Sequence, residues 1–434
     1  MFAAYMLLVA SSTSLLLSHL RHESIFSVEL GGLDSLIEHK GFLWCSDGSQ
    51  EPGDLIGTQQ LDTVVCLHAG RMPLAAYTIF TLVNIFGTHY SVVTLCKALL
   101  SMVPILVAFW LVSDRAMSCR YRPRLYSMVL FAATFMLPAV LLNIVDIDAE
   151  ECYTTCFLAC CCAIVLFWPA IQNHVNIWSA VFVLMLIFLY LAKSSMMLAA
   201  LFLILGCGIR SGFNRRFAAV VALVLCAPLL WGLYVDKVSG RFSVGTSVDE
   251  MNLHKGNNPD FLQEYQPKNG GDLDPYDIQL RNGHIFTSEW QMSDYHKSQA
   301  VAYIRHHPWT VLYGGLRKAE VFFITLTRRG DDLKLHPGIF GITIISSMVL
   351  FRLLLWSAMV VATIQLKSKI IELRFSALFY LGVVLTVAAP YLIGFAVTRH
   401  VSVLALPSAL FFAHRWLYTP SAQLIGKNNV LSVG

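Results

Sequence analysis

The chain returns repeatedly to uncharged apolar stretches long enough to cross a lipid bilayer, and this constrains its fold more than any other feature. A hydrocarbon core about 30 Å thick takes about 20 apolar residues of helix to cross. Backbone amides inside it find no water, so each crossing must satisfy its own hydrogen bonds. Such blocks lie near 1–20, 91–113, 125–145, 152–169, 177–192, 194–209, 217–235, 339–366, 375–396 and 400–416. The fold class they imply is an all-α polytopic membrane protein of about ten transmembrane helices. Only 13% of the 434 residues are charged and 56% are hydrophobic, against about 25% charged in a soluble domain. Disorder, a small disulfide scaffold and an ordinary cytosolic enzyme are excluded. The net charge of +4 lacks the concentrated basic face that nucleic acid requires.

Residues Met1–Leu20 lack an arginine-rich start and an Ala-x-Ala cleavage site, and read as a retained signal anchor. The stretches 177–192 and 194–209 meet at Lys193. Read as one span instead of two, they would reverse the sidedness of everything after them. Short cytoplasmic loops collect Lys and Arg. Arg115, Arg120, Arg122 and Arg124 follow the second span, Arg210, Arg215 and Arg216 the sixth, and Lys367, Lys369 and Arg374 the eighth. Ten spans with a cytoplasmic N-terminus place all three clusters inside. The acidic turn Asp146, Asp148, Glu150 and Glu151 then falls outside.

Two outer segments exceed the length of connectors, and loops of that length usually carry function. Residues 21–90 hold eight acids and three bases. The excursion 236–338 is polar and nearly charge-balanced, with twelve Lys/Arg against thirteen Asp/Glu, and reads as a small lid over the outer face. This divides the chain into an N-terminal membrane module, 1–235, the outer loop 236–338, and the C-terminal helices and tail, 339–434. Cys152, Cys156 and Cys160 share one helix face, where small residues favour helix contact over metal binding. Cys45 and Cys66 lie in the first outer loop, where oxidation to a disulfide is permitted.

Residues 26–42, His68–Gly87, Lys193–Ser195 and the set Asn252–Pro259, Ala300–Pro308 and Thr398–Pro407 form four local patterns in chain order, and together they resemble the GT-C superfamily of polyprenyl-phosphate-sugar-dependent glycosyltransferases. The match is to the bacterial branch related to protein O-mannosyltransferases and the lipid A aminoarabinose transferase. Residues 26–42, ending Leu36-Ile-Glu-His-Lys-Gly-Phe42, resemble the family's acidic residue followed by an amphipathic surface helix. Glu29 is the best match to the family's catalytic Asp, and Asp34 the second. His68-Ala-Gly-Arg71-Met-Pro73, followed by an apolar stretch ending Phe86-Gly87, resembles the basic-x-Pro motif and a second surface helix. Lys193-Ser-Ser resembles the Thr-Lys-Gly-Pro turn between two short spans, without its Gly-Pro. Asn252-Leu-His-Lys-Gly-Asn-Asn-Pro259, Ala300-Val-Ala-Tyr-Ile-Arg-His-His-Pro308 and Thr398-Arg399-His400 through Pro407 resemble later motifs.

The resemblance implies a bacterial inner-membrane enzyme whose active site faces the periplasm or exterior. Its donor is a sugar on a polyprenyl phosphate, and its acceptor a lipid, glycan or protein. Glu29 or Asp34 would be the general base that activates the acceptor, and the displacement would invert the anomeric centre. Arg71, Lys193 and Arg399 would stabilise charge on the departing phosphate. A lysine between two apolar helices is costly in lipid and is a functional candidate by default. His68, Glu151, Asn252, His254 and His400 are weaker substrate-binding candidates. Some family members bind a divalent cation, but no spacing here forms a ligand set. An O-antigen ligase or polymerase, a lipid-linked saccharide flippase, and a binding-only protein are the rival readings.

Overall fold

In a computed structural model of the protein, the described residues are 66–87, 89–117, 121–137, 140–141, 150–168, 175–265, 286, 288–326 and 339–418, with 7, 11, 44 and 45. Helices dominate them. One two-residue antiparallel ladder, β1 (Trp44–Cys45) with β2 (Cys66–Leu67), sets Cys45 opposite Cys66 in register. The helices of the first half are α1 (Pro73–Phe86), α2 (Tyr90–Met117), α3 (Tyr121–Phe135), α4 (Glu150–Leu166), α5 (Val175–Ala192), α6 (Met197–Ser211) and α7 (Arg215–Ser239). Short helices α8 (Asp249–Lys255) and α9 (Phe261–Glu264) follow, then α10 (Glu289–His306) and α11 (Pro308–Phe323). The chain closes with α12 (Ile339–Gln365), α13 (Ile371–Ile393), the 3-10 helix Thr398–Leu404 and α14 (Ala405–Tyr418).

Helix α4 is the axis of the bundle. A helix apolar on every side belongs in a core, and every residue from Glu151 to Leu166 is buried. It packs on α2, α5, α6 and α14. Its Cys152, Cys156, Cys160, Cys161 and Cys162 are buried thiols outside any disulfide that act as small packing residues. Tyr380 of α13 stacks on Phe411 of α14, ring centroids 4.9 Å apart, and its hydroxyl meets Ser408 Oγ at 2.8 Å.

Among the described residues, five helical segments are long and apolar enough to cross a membrane: Val92–Ser113, Ser194–Ser211, Arg215–Ser239, Ile345–Gln365 and Ile371–Ile393. Their outer faces are greasy. Leu223, Leu229, Leu230 and Leu233 of α7 and Leu350, Leu353, Val360 and Ile364 of α12 are exposed, a surface that a water-soluble monomer avoids. The chain is thus built as a multi-pass membrane protein. Within expected span 125–145 the chain is helical to Phe135 and again at residues 140–141, and 138–139 and 142–145 lie outside the described residues. The junction at Lys193 divides two helices: α5 stops at Ala192, Lys193 is extended (φ −159°, ψ 119°), and a 3-10 turn, Ser194–Met196, leads into α6.

Local chemistry explains several boundaries. Pro73 starts α1, where a missing N–H costs nothing, and Gly87 ends it with φ +74°. Asn214 caps α7 by accepting the Phe217 N–H at 3.1 Å, and Gly240 closes it in the left-handed region.

Candidate functional site

The N-terminus of α4 carries two adjacent carboxylates, Glu150 and Glu151, where the helix dipole favours negative charge. Lys193 approaches from the α5–α6 junction. Its Nζ is 2.7 Å from Glu151 Oε1 and 3.7 Å from Glu150 Oε2. Arg71, two residues before the start of α1, places Nη1 3.7 Å from Glu150 Oε1. From the 3-10 helix Thr398–Leu404, His400 puts Nε2 3.5 Å from Glu151 Oε1. Its ring stacks on Tyr391, centroids 4.1 Å apart, and the Tyr391 hydroxyl meets Ser195 Oγ at 3.2 Å. Two cations, two acids and a histidine from four parts of the chain thus share one place.

The cluster is graded from inside to outside. The Glu151 side chain is only 4% exposed, while that of Arg71 is 33% exposed. Burial alone would lower the Lys193 pKa, but Glu151, the Tyr391 phenol and Glu150 outweigh it, so the amine is held above its ordinary range and stays charged. Removing either partner of such a pair leaves a buried charge uncompensated.

A second tier of contacts sets these groups in position. Glu289, buried at the start of α10, accepts the backbone N–H groups of His68 (3.2 Å) and Ala69 (3.1 Å). Ser247 N–H donates to the Ala69 carbonyl at 2.8 Å. The strand leading to Arg71 is therefore pinned from two sides. Asp249 accepts the Ser194 hydroxyl at 3.1 Å and the Thr246 N–H at 2.8 Å, tying α8 to the turn after Lys193. Burial raises the Asp249 pKa against those hydrogen bonds. Tyr190 donates its hydroxyl to the Val244 carbonyl, and Trp231 its indole N–H to Gly245 at 3.2 Å.

No family model matches this chain, and no curated protein or solved structure does. The geometry therefore carries the reading alone. It brings together Arg71, Lys193, Glu151 and His400 from the expected set. Glu29 and Asp34 lie outside the described residues, as does the side chain of Arg399, whose backbone stands beside His400.

The remaining candidates are elsewhere. His254 is buried against His296, Nδ1 to Nδ1 2.9 Å apart, and burial pulls its pKa down to about 4. Asn252, at the middle of α8, accepts the Gly256 N–H through its carbonyl at 3.3 Å. The asparagines of its motif are turn builders. Asn257 donates to the Leu253 and Ile393 carbonyls, both at 2.8 Å, and Asn258 to His254 and Lys255, both at 2.9 Å. His68 offers its backbone N–H to Glu289. Among the described residues, no group of three or more His, Cys, Asp or Glu side chains could hold a metal ion.

Sequence reasoning took Glu150 only as part of an acidic turn, and missed Glu289, Asp249 and Tyr391. Two adjacent acids at the start of an apolar helix were a readable signal for Glu150. Nothing local marks the other three, because their partners are distant in sequence.

Proposed function

We propose that the chain is a GT-C-type glycosyltransferase of a bacterial inner membrane, with about ten spans. It transfers a sugar from a polyprenyl-phosphate carrier to a lipid, glycan or protein acceptor on the outer face. The observation that carries this reading is the convergence of Arg71 and Lys193 on the Glu150–Glu151 pair, with His400 against it. Two cations at the mouth of an apolar bundle suit the phosphate of a lipid-borne donor, which gains charge as the glycosidic bond breaks. Lys193 is the inner electrostatic group and Arg71 the outer one. Glu151 and His400 orient Lys193 from the side away from solvent.

In this scheme the acceptor hydroxyl or amine loses its proton to Glu29 or Asp34 as it attacks the anomeric carbon. The carrier phosphate leaves from the opposite face, so the anomeric configuration inverts. The test is release of free polyprenyl phosphate from sugar-loaded carrier by purified protein given acceptor membranes. Glu29→Gln or Asp34→Asn should abolish release while carrier binding persists. Release unchanged in both variants rejects the assignment of the base. Absence of both binding and turnover in the wild type rejects the transferase, and a flippase takes its place.

A further inference from the structure

We infer that helix α11 lies in the membrane itself, with one face against lipid acyl chains at the boundary of the leaflet where α12 begins, and is not part of a water-facing lid. The inference needs only that the bundle spans a bilayer and is independent of the transferase reading. Two faces of α11 differ completely. Gly314, Lys318, Val321 and Phe322 recur at helical spacing and are buried against the bundle. On the opposite side Trp309, Leu312, Tyr313 and Leu316 repeat at i, i+3, i+4 and i+7. All four are exposed, Trp309 by 81% and Leu316 by 63%. Water would not tolerate that stripe on a soluble lid.

The C-terminal end of α11 is held by α12. Arg352 of α12 donates from Nη1 to the Phe322 carbonyl at 2.6 Å and from Nη2 to the Thr325 carbonyl at 2.8 Å. One turn further along, Trp356 donates its indole N–H to the Phe323 carbonyl at 3.2 Å. Arg352 and Trp356 both lie within the membrane-length segment Ile345–Gln365 of α12, in a helix that is apolar from Ile339 onward. The last turn of α11 is therefore held against a helix long and apolar enough to cross the bilayer, as an amphipathic helix seated in the membrane interface requires.

The exposed face is also continuous with a lipid-facing surface. The Phe323 and Trp356 rings are 6.2 Å apart, and Trp356 belongs to the same outer side of α12 as Leu353 and Val360, exposed in the same way. The acid nearest the stripe, Glu320, is paired with Arg317 at 2.9 Å, and Arg317 lies 5.7 Å from the Tyr313 ring centroid. Arg317 and Glu320 together therefore bring no net charge into lipid. A polar tip on an apolar body is the usual residue choice at this depth.

The experiment uses the wild-type chain in proteoliposomes containing a phospholipid with a diazirine on its acyl chain. Photolysis followed by peptide mass spectrometry should place lipid adducts on the peptide holding Trp309, Leu312 and Leu316, as well as on α12 around Leu350 and Leu353. Hydroxyl-radical footprinting of the same sample should show loss of oxidation at Trp309 and Tyr313. Adducts on α12 with none on α11, and Trp309 oxidised like a solvent-facing residue, would overturn the inference. So would protection of Trp309 without lipid adducts, since a second protein would then cover the stripe.

Discussion

Lys193 Nζ stands 2.7 Å from Glu151 Oε1, across 42 residues of chain and between two different helix ends. A buried pair of this kind is weak evidence for stability but strong evidence for position. Either partner left alone is an uncompensated charge. Lys193→Ala and Glu151→Gln should each lower unfolding stability in detergent by about 3 kcal/mol. The double variant should cost clearly less than the two single costs combined, with a coupling of about 1–3 kcal/mol. Additive losses would mean that the two groups do not interact.

Glu289 holds the segment that delivers Arg71. Its carboxylate accepts two backbone N–H groups, from His68 and Ala69. Glu289→Gln keeps one good acceptor and replaces the other by a donor, at a cost of about 1–3 kcal/mol. Arg71 then loses its fixed approach to Glu150. The expected outcome is a folded protein with a raised Kd for loaded carrier, measured by equilibrium binding in detergent. An unchanged Kd would show that Arg71 is placed by other contacts.

Gly256 is a close-approach glycine whose backbone (φ −86°) any residue could adopt. A Cβ there would run into the Gly394 carbonyl oxygen and come within 2.9 Å of Lys318 Nζ. Backbone cannot yield as a flexible side chain does, so Gly256→Ala should cost at least about 1–3 kcal/mol by thermal unfolding. Wild-type stability in that variant would refute the close packing of α8 on the end of α13.

The facing imidazoles of His254 and His296 need one N–H donor and one acceptor at 2.9 Å, so the accepting ring is neutral. Burial holds His254 near pKa 4, against an ordinary 6.5. Between those values the unfolded chain takes up a proton that the native chain refuses. This contribution to stability is complete above about pH 6.5, falls as the pH drops toward about 4, and levels off below. Thermal midpoints should trace that window, and His254→Asn should flatten it. An identical pH slope in the variant would contradict the assignment.

Much of the architecture was legible because membrane crossing is a composition signal. Uncharged blocks marked Val92–Ser113, Arg215–Ser239, Ile345–Gln365 and Ile371–Ile393 directly. Lys193 was legible as a break because a charged residue between two short apolar runs has little place inside lipid. The partners of each site residue were not legible. Glu151 reads locally as a helix-start acid, and only the packing of α4 against the α5–α6 junction makes it the counterion of Lys193. Helix α11 was hidden for a related reason. Trp309, Leu312 and Leu316 look like core positions, and solvent exposure alone shows that their face is turned outward.

Lys193 is proposed to serve the phosphate of a lipid-borne sugar donor. The most direct measurement is the initial rate of polyprenyl phosphate release in proteoliposomes, comparing wild type, Lys193→Ala and Lys193→Arg, with folding checked by thermal midpoint. The account predicts turnover by the wild type, a loss of about 100-fold or more in the alanine variant, and partial recovery with arginine. Wild-type turnover left intact by Lys193→Ala would contradict it.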